Sequence, residues 1–205
     1  MDTAGDAVAR LNETLSFSRE NTALVESFYP SNEVTLSCYV YGGKAYPLTL
    51  TDRQLIHDPL HIGVCAAHRY PSVHAGRTEE IVKLGQRVAL ALGVESGPLY
   101  IQLLIVHHGV IVNEASCRIG GAFEDVFIPW VTGFDILSNA IRATMGLPEA
   151  PDALLYPKPI DPDCQVSVQM LFCRPGVAAA VTPLAVLMAL PGVLTAGYNF
   201  KQGSA

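Results

Sequence analysis

Charge is scarce in this chain. Asp, Glu, Lys and Arg make up only 16% of its 205 residues, and the 13 Lys and Arg form no cluster. At a formal net charge of -6 it lacks the basic patch on which a nucleic-acid binder depends, so no nucleic-acid partner is expected. Cysteines are few, odd in number and never spaced as CxxC: Cys38, Cys65, Cys117, Cys164 and Cys173. That argues against a disulfide framework or a cysteine zinc site and for reduced, buried thiols in a cytoplasmic protein. The opening MDTAGDAVARLNETL carries acids and no apolar stretch of the secretory kind. An unbroken apolar helix is missing too. Pro175 to Phe200 has no charged side chain and is long enough to span a bilayer, but Pro183, Pro191 and Gly192 divide it. A buried strand (Val177 to Val181), helix (Pro183 to Leu190) and strand (Val193 to Tyr198) are expected there, not a membrane span.

What is present suffices for one full core, or one domain and part of a second: 50% of the residues are hydrophobic, in a chain about the length of one or two domains. Val8, Leu11 and Leu15 share a face of a helix predicted over 7–18, with Asp6 as its N-cap. A strand ending near Glu26, a turn through Pro30, Ser31 and Asn32, a strand from Val34 to Tyr41, a Gly42-Gly43 hairpin turn and a return strand through Leu50 follow. Residues 55–75 are rich in His and broken by Pro59 and Pro71, and read as irregular. Ile81, Leu84, Val88 and Leu92 mark one face of a helix from Thr78 to Leu92, stopped by Gly93. Two apolar strands, Leu99 to Val106 and Val110 to Asn113, are joined by the turn His107-His108-Gly109, whose histidines read as solvated.

That hairpin delivers Gln102 and Glu114 as polar residues of otherwise apolar runs. With Ser116 and Arg118 continuing at period two, four polar groups would point to one side. Such oxygens suit a hard cation like Mg²⁺, Arg118 offers an anion a forked donor, and Gly120 and Gly121 allow backbone N–H groups close to a phosphate or carboxylate. From spacing alone, a surface pair between the Glu and the Arg is an equally good reading. Cys117 reads as a small buried apolar residue. Glu124 and Asp125 read as caps of the next helix or as partners of a substrate amine.

The order of hairpin, helix and hairpin, ending in acid-x-x-x-Arg, resembles the C-terminal half of an ATP-grasp domain over most of residues 1–146. The stretch VESFYPSNE looks like the hinge of that family, which implies that Glu26 and the backbone of Phe28 receive the adenine and that Glu33 holds the ribose hydroxyls. GPLYIQLLIVHHGVIVNEASCRIGG looks like its metal-binding hairpin. The resemblance puts Gln102, Glu114 and Ser116 at the ligand positions, with Ser116 departing from the usual Asn, and Arg118 facing the acyl phosphate or transferred phosphoryl. His61 corresponds loosely to a nucleotide-contacting His of the carbamoyl-phosphate synthase branch. The tail from Val168 is similar to the start of the C-terminal domain of ATP-grasp amino-acid ligases.

The expected fold is therefore α+β: the C-terminal half of an ATP-grasp domain, an antiparallel sheet with packed helices, over 1–146, and a partial small α+β domain over 147–205. The implied activity is Mg²⁺-dependent (or Mn²⁺-dependent) attack of a small carboxylate on ATP to give an acyl phosphate, which an amine then displaces. Such enzymes carry phosphate-binding lysines and a glycine-rich loop ahead of this region. Here only Lys44 and Lys83 precede the metal hairpin. The resemblance thus implies an incomplete ligase that needs a complementing chain or a second copy, or else a non-catalytic remnant serving as a binding module, with apolar faces left exposed.

Overall fold

The computed structural model describes residues 4–56, 63–173, 176–200 and 203. Its contacts divide the chain into two compact units, Met1–Val168 and Gln169–Ala205. Residues 147–168, on the far side of the boundary expected from the sequence, lie within the first unit.

The first unit is built on β1 (Asn32–Tyr41), β2 (Lys44–Leu55), β3 (Cys65–Tyr70), β4 (Ser96–Val106), β5 (Gly109–Ser116) and β6 (Val166–Gln169), in the order β5-β4-β1-β2-β3-β6. The β1–β2, β1–β4, β2–β3 and β4–β5 pairings are antiparallel. Gly42 and Gly43, at φ +58° and +75°, make the tight turn that a right-twisted hairpin favours and that side chains resist. α1 (Ala4–Ser16) begins earlier than expected, so Asp6 sits inside its first turn, where a negative charge meets the positive helix end.

α2 (Thr78–Ala91) follows a short 3-10 turn and packs on one sheet face. Its buried residues Ile81 and Ala89, with Leu84 and Val88, meet Val34, Leu36, Cys38 and Val40 of β1 and Leu99, Ile101 and Leu103 of β4. α3 (Glu124–Thr132) and α4 (Ile136–Thr144) carry a second core over part of the opposite face, where Phe127, Ile128, Val131, Phe134 and Ile136 surround Tyr39 and Leu48. The Phe134 ring meets Tyr39 edge-on at 5.0 Å. α4 is capped by Asp135, whose side chain accepts from the Ser138 N–H at 2.9 Å, and these bonds hold its carboxyl below the usual range. α5 (Asp152–Leu155) adds Leu154 to this second core.

Three local expectations are corrected. No strand forms near Glu26; residues 23–31 run without regular structure. Nothing among the described residues pairs with that backbone, and a lone extended segment gains no ladder. Val25 and Phe28 are exposed there, the latter at 85%. Conversely, β3 lies inside the stretch read as irregular, because the β2 edge supplies partners for residues 65–69 despite the neighbouring prolines. Cys117 is exposed rather than buried, as is Cys173; only Cys38 is fully buried.

The second unit holds α6 (Leu184–Met188) and no strand among its described residues beyond the last residue of β6. The two strands expected around that helix do not form. Their backbone bonds include a local turn, from Val193 N–H to the Leu190 carbonyl at 3.2 Å, and a bond from Gly203 N–H to the Ala178 carbonyl at 2.9 Å. Among the described residues no helix is long and apolar enough to cross a membrane.

Candidate functional site

Alternation along β1 sends Glu33, Thr35, Ser37 and Tyr39 to the face opposite α2. α3 and α4 cover the Tyr39 end of that face, and the other end is polar. At its centre is Arg53 of β2, directly opposite Glu33 in the β1–β2 register. Its Nε donates to Glu33 Oε2 at 3.1 Å and its Nη1 to the Tyr100 hydroxyl at 2.7 Å. Nη1 and Nη2 lie 2.7 and 3.1 Å from the outer amide atom of Gln102. That atom is the carbonyl oxygen, since an amide nitrogen there would face only donors. The Tyr100 hydroxyl gives it a third donor at 3.2 Å. His68, paired with Arg53 across β2–β3, lies 3.2 Å from Thr51 through Nδ1. Burial first, and the Arg53 charge second, lower the His68 pKa to about 4, so it is neutral at pH 7.

Glu114 stands opposite Gln102, and Ser116 opposite Tyr100. A β-bulge makes this possible: the register passes from Leu103–Val112 to Gln102–Glu114 with Asn113 as the extra residue. Val110 and Val112 therefore face the α2 core, while Glu114, which shares their parity, turns to the polar face. Glu114 is exposed, and no hydrogen bond or ion pair reaches its carboxylate among the described residues. The Arg118 guanidinium lies 5.4 Å from the centre of the Tyr100 ring and donates to the Ile119 carbonyl at 3.0 Å.

Beyond Arg118 the chain turns through Gly120 and Gly121. Glu124 is 1% exposed. It accepts from Ser37 Oγ at 2.8 Å and from the Gly120 N–H at 2.9 Å, so it neither caps α3 through its side chain nor faces solvent. Burial raises its pKa, and the bonds from Ser37 and Gly120 and the Arg118 charge oppose that rise. The carboxyl ties the glycine turn to the middle of β1.

One polar face thus gathers Glu33, Gln102, Glu114 and Ser116, with Arg118 and the glycines at its end. Glu26 and Phe28 lie on the exposed segment before β1, with no described contact to that face. His61 lies outside the described residues. Sequence reasoning missed Arg53, Tyr100 and the bridging role of Glu124. The available signal was the Asp52-Arg53 pair near the end of β2, after the apolar alternation of Leu48 and Leu50.

The donor set fits a divalent cation only in part. A carbonyl oxygen has two lone pairs, and three donors already compete for that of Gln102, so it does not fit as a metal ligand. Glu114, exposed and unengaged, fits one hard cation with Ser116 nearby. No group of three or more His, Cys, Asp or Glu among the described residues could form a full protein cage, which Mg²⁺ does not require.

The sheet, its helix-covered face and its opposed polar face define an α+β architecture. Solved structures place it more closely. The chain superposes on N5-carboxyaminoimidazole ribonucleotide synthetase from Thermus thermophilus with a TM-score of 0.62 and 18% identity over 93% of this chain and 47% of that one. It matches the biotin carboxylase domain of Hydrogenobacter thermophilus 2-oxoglutarate carboxylase, solved with MgADP and bicarbonate, with a TM-score of 0.56 and 17% identity over 69% and 31%. For L-amino acid ligase from Bacillus licheniformis the values are 0.53 and 19%, over 68% and 35%. These are ATP-grasp enzymes, and the chain has the ATP-grasp fold. Among curated proteins it is 27% identical to multifunctional protein URA2 of Saccharomyces cerevisiae over 198 residues, which is 95% of this chain and 9% of that protein. The chain thus spans less than half the length of each of these relatives. No family model matches it.

Proposed function

We propose that the chain is part of an ATP- and Mg²⁺-dependent carboxylate–amine ligase of the cytoplasm, its polar sheet face being the polyphosphate side of the site. The observation that carries this reading is the bulge that turns Glu114 toward Gln102, beside Arg118 on Tyr100. A bound Mg²⁺ would neutralise charge on the transferred phosphoryl group. Glu114 would hold that ion with help from Ser116. Arg118, a forked cation at the rim, would orient the acyl phosphate formed from a small carboxylate. The amide of Gly121 would approach the same anion, while that of Gly120 is taken by Glu124 and holds the turn. Glu33 engages Arg53 through one oxygen, which leaves the other for a ribose hydroxyl, and the segment bearing Glu26 and Phe28 would receive the adenine. His61 would add a nucleotide contact. The remaining phosphate-binding groups would come from outside these 205 residues.

The engaged oxygen of Gln102 and the Ser at 116 favour a second reading, a binding module that has lost catalysis. Calorimetric titration of the chain with a non-hydrolysable ATP analogue, with and without Mg²⁺, separates the two when run beside Glu114→Gln. Mg²⁺-dependent binding that weakens tenfold or more in the variant supports the ligase reading. A folded chain without nucleotide binding refutes it.

A further inference from the structure

We infer that the Arg53 guanidinium is a fixed cation of the nucleotide site, standing on Gln102 where a second metal ion would otherwise bind, so that the chain takes one divalent ion rather than two. The inference rests on the ligase reading above. Arg53 is built into the fold: its side chain is only 9% exposed and is held from Glu33, Tyr100 and Gln102 at once. A guanidinium is a permanent cation, and the buried His68 beside it is neutral at pH 7. Mg²⁺ bonds oxygen at about 2.0–2.1 Å. An ion at that distance from the Gln102 oxygen would share it with guanidinium nitrogens 2.7 and 3.1 Å away, a close approach of like charges. The carboxylate that could have joined Gln102 around a second ion, Glu33, is paired with Arg53. Ser116 removes the other strong donor. Positive charge on this side of the face is therefore covalent, and among the described residues of the face Glu114 is the carboxylate left for a free ion.

Mn²⁺ binding followed by electron paramagnetic resonance tests this, with the purified chain alone and with a non-hydrolysable ATP analogue. The expected counts are one Mn²⁺ per wild-type chain, one in Arg53→Lys, and two in Arg53→Gln, where Glu33 and Gln102 are released. Two ions in the wild type overturn the inference, as does a folded Arg53→Gln with an unchanged count, or no Mn²⁺ in any of the three. The wild-type count decides even where Arg53→Gln does not fold. Nucleotide binding is scored separately: its absence refutes the ligase reading, whereas nucleotide binding with the wrong metal count refutes only the role of Arg53.

Discussion

Gly120 and Gly121 are adjacent, and the structure makes them unequal. A Cβ at Gly120 would lie 2.6 Å from the Glu124 carboxyl carbon, 2.6 Å from its Oε1 and 2.6 Å from Tyr100 Cδ2. These neighbours cannot move freely, since Glu124 is buried between Ser37 and the turn, and Tyr100 is anchored to Arg53. Forcing a methyl into such packing costs about 1–3 kcal/mol, and displacing Glu124 from the Gly120 N–H costs about 1–2 kcal/mol more. Gly120→Ala should thus destabilise the first unit by about 3 kcal/mol, a fall in Tm of roughly 6–12 °C for a domain of this size. At Gly121 a Cβ meets nothing within 4 Å, so Gly121→Ala should stay within about 0.5 kcal/mol of wild type. Thermal melts by circular dichroism, backed by urea titration, read both. Equal Tm values for the two variants would falsify the account of Glu124 as the tie between β1 and the glycine turn.

Acid should destabilise the fold through His68. Its folded pKa of about 4 lies below the ordinary histidine value of 6.5, so the unfolded chain binds the proton first. Stability is full above pH 6.5 and falls toward pH 4, by about 2 kcal/mol at pH 5. Urea unfolding at pH 7 and pH 5 checks this, and His68→Gln should remove most of that difference; a slope unchanged by the substitution would assign it to other groups. Asn139, buried in α4, accepts from the Ala150 N–H at 2.7 Å and donates to the Asp135 carbonyl at 2.9 Å. Asn139→Ala should cost about 0.5–1.5 kcal/mol by removing the bond that holds Ala150 to α4, and faster hydrogen exchange at Ala150 would locate the loss.

Much of the fold was legible because it follows local rules. The Gly42-Gly43 turn, the α2 face and the His107-His108-Gly109 hairpin each carry their own sequence signal, and each formed within a few residues of its expected place. What failed depends on partners distant in sequence. The segment around Glu26 has strand composition but nothing described to pair with. β3 has weak composition but a ready edge on β2. The tail is apolar enough for strands, yet beyond β6 its described residues form none, and the backbone bonds it makes are local turns and the bond from Gly203 to Ala178.

The site divides in the same way, and the bulge in β5 shows why. Val110, Val112, Glu114 and Ser116 share one parity, so strict alternation would bury Glu114 with the valines. A charged residue buried there would lack a partner. The extra residue at Asn113 resolves the conflict by turning the strand over between Val112 and Glu114. Counting at period two from Glu114 onward steps past the bulge, and so gives Glu114 and Ser116 one face, as the register does. No such count could reach Arg53. It meets Glu33 by the register of one strand pair and Gln102 only through the next, since Gln102 stands opposite Thr35. Three residues that read as separate roles, a ribose holder, a metal ligand and an unassigned charge, therefore become one hydrogen-bonded unit only when the sheet forms. A change at any one of them should consequently be felt at the other two.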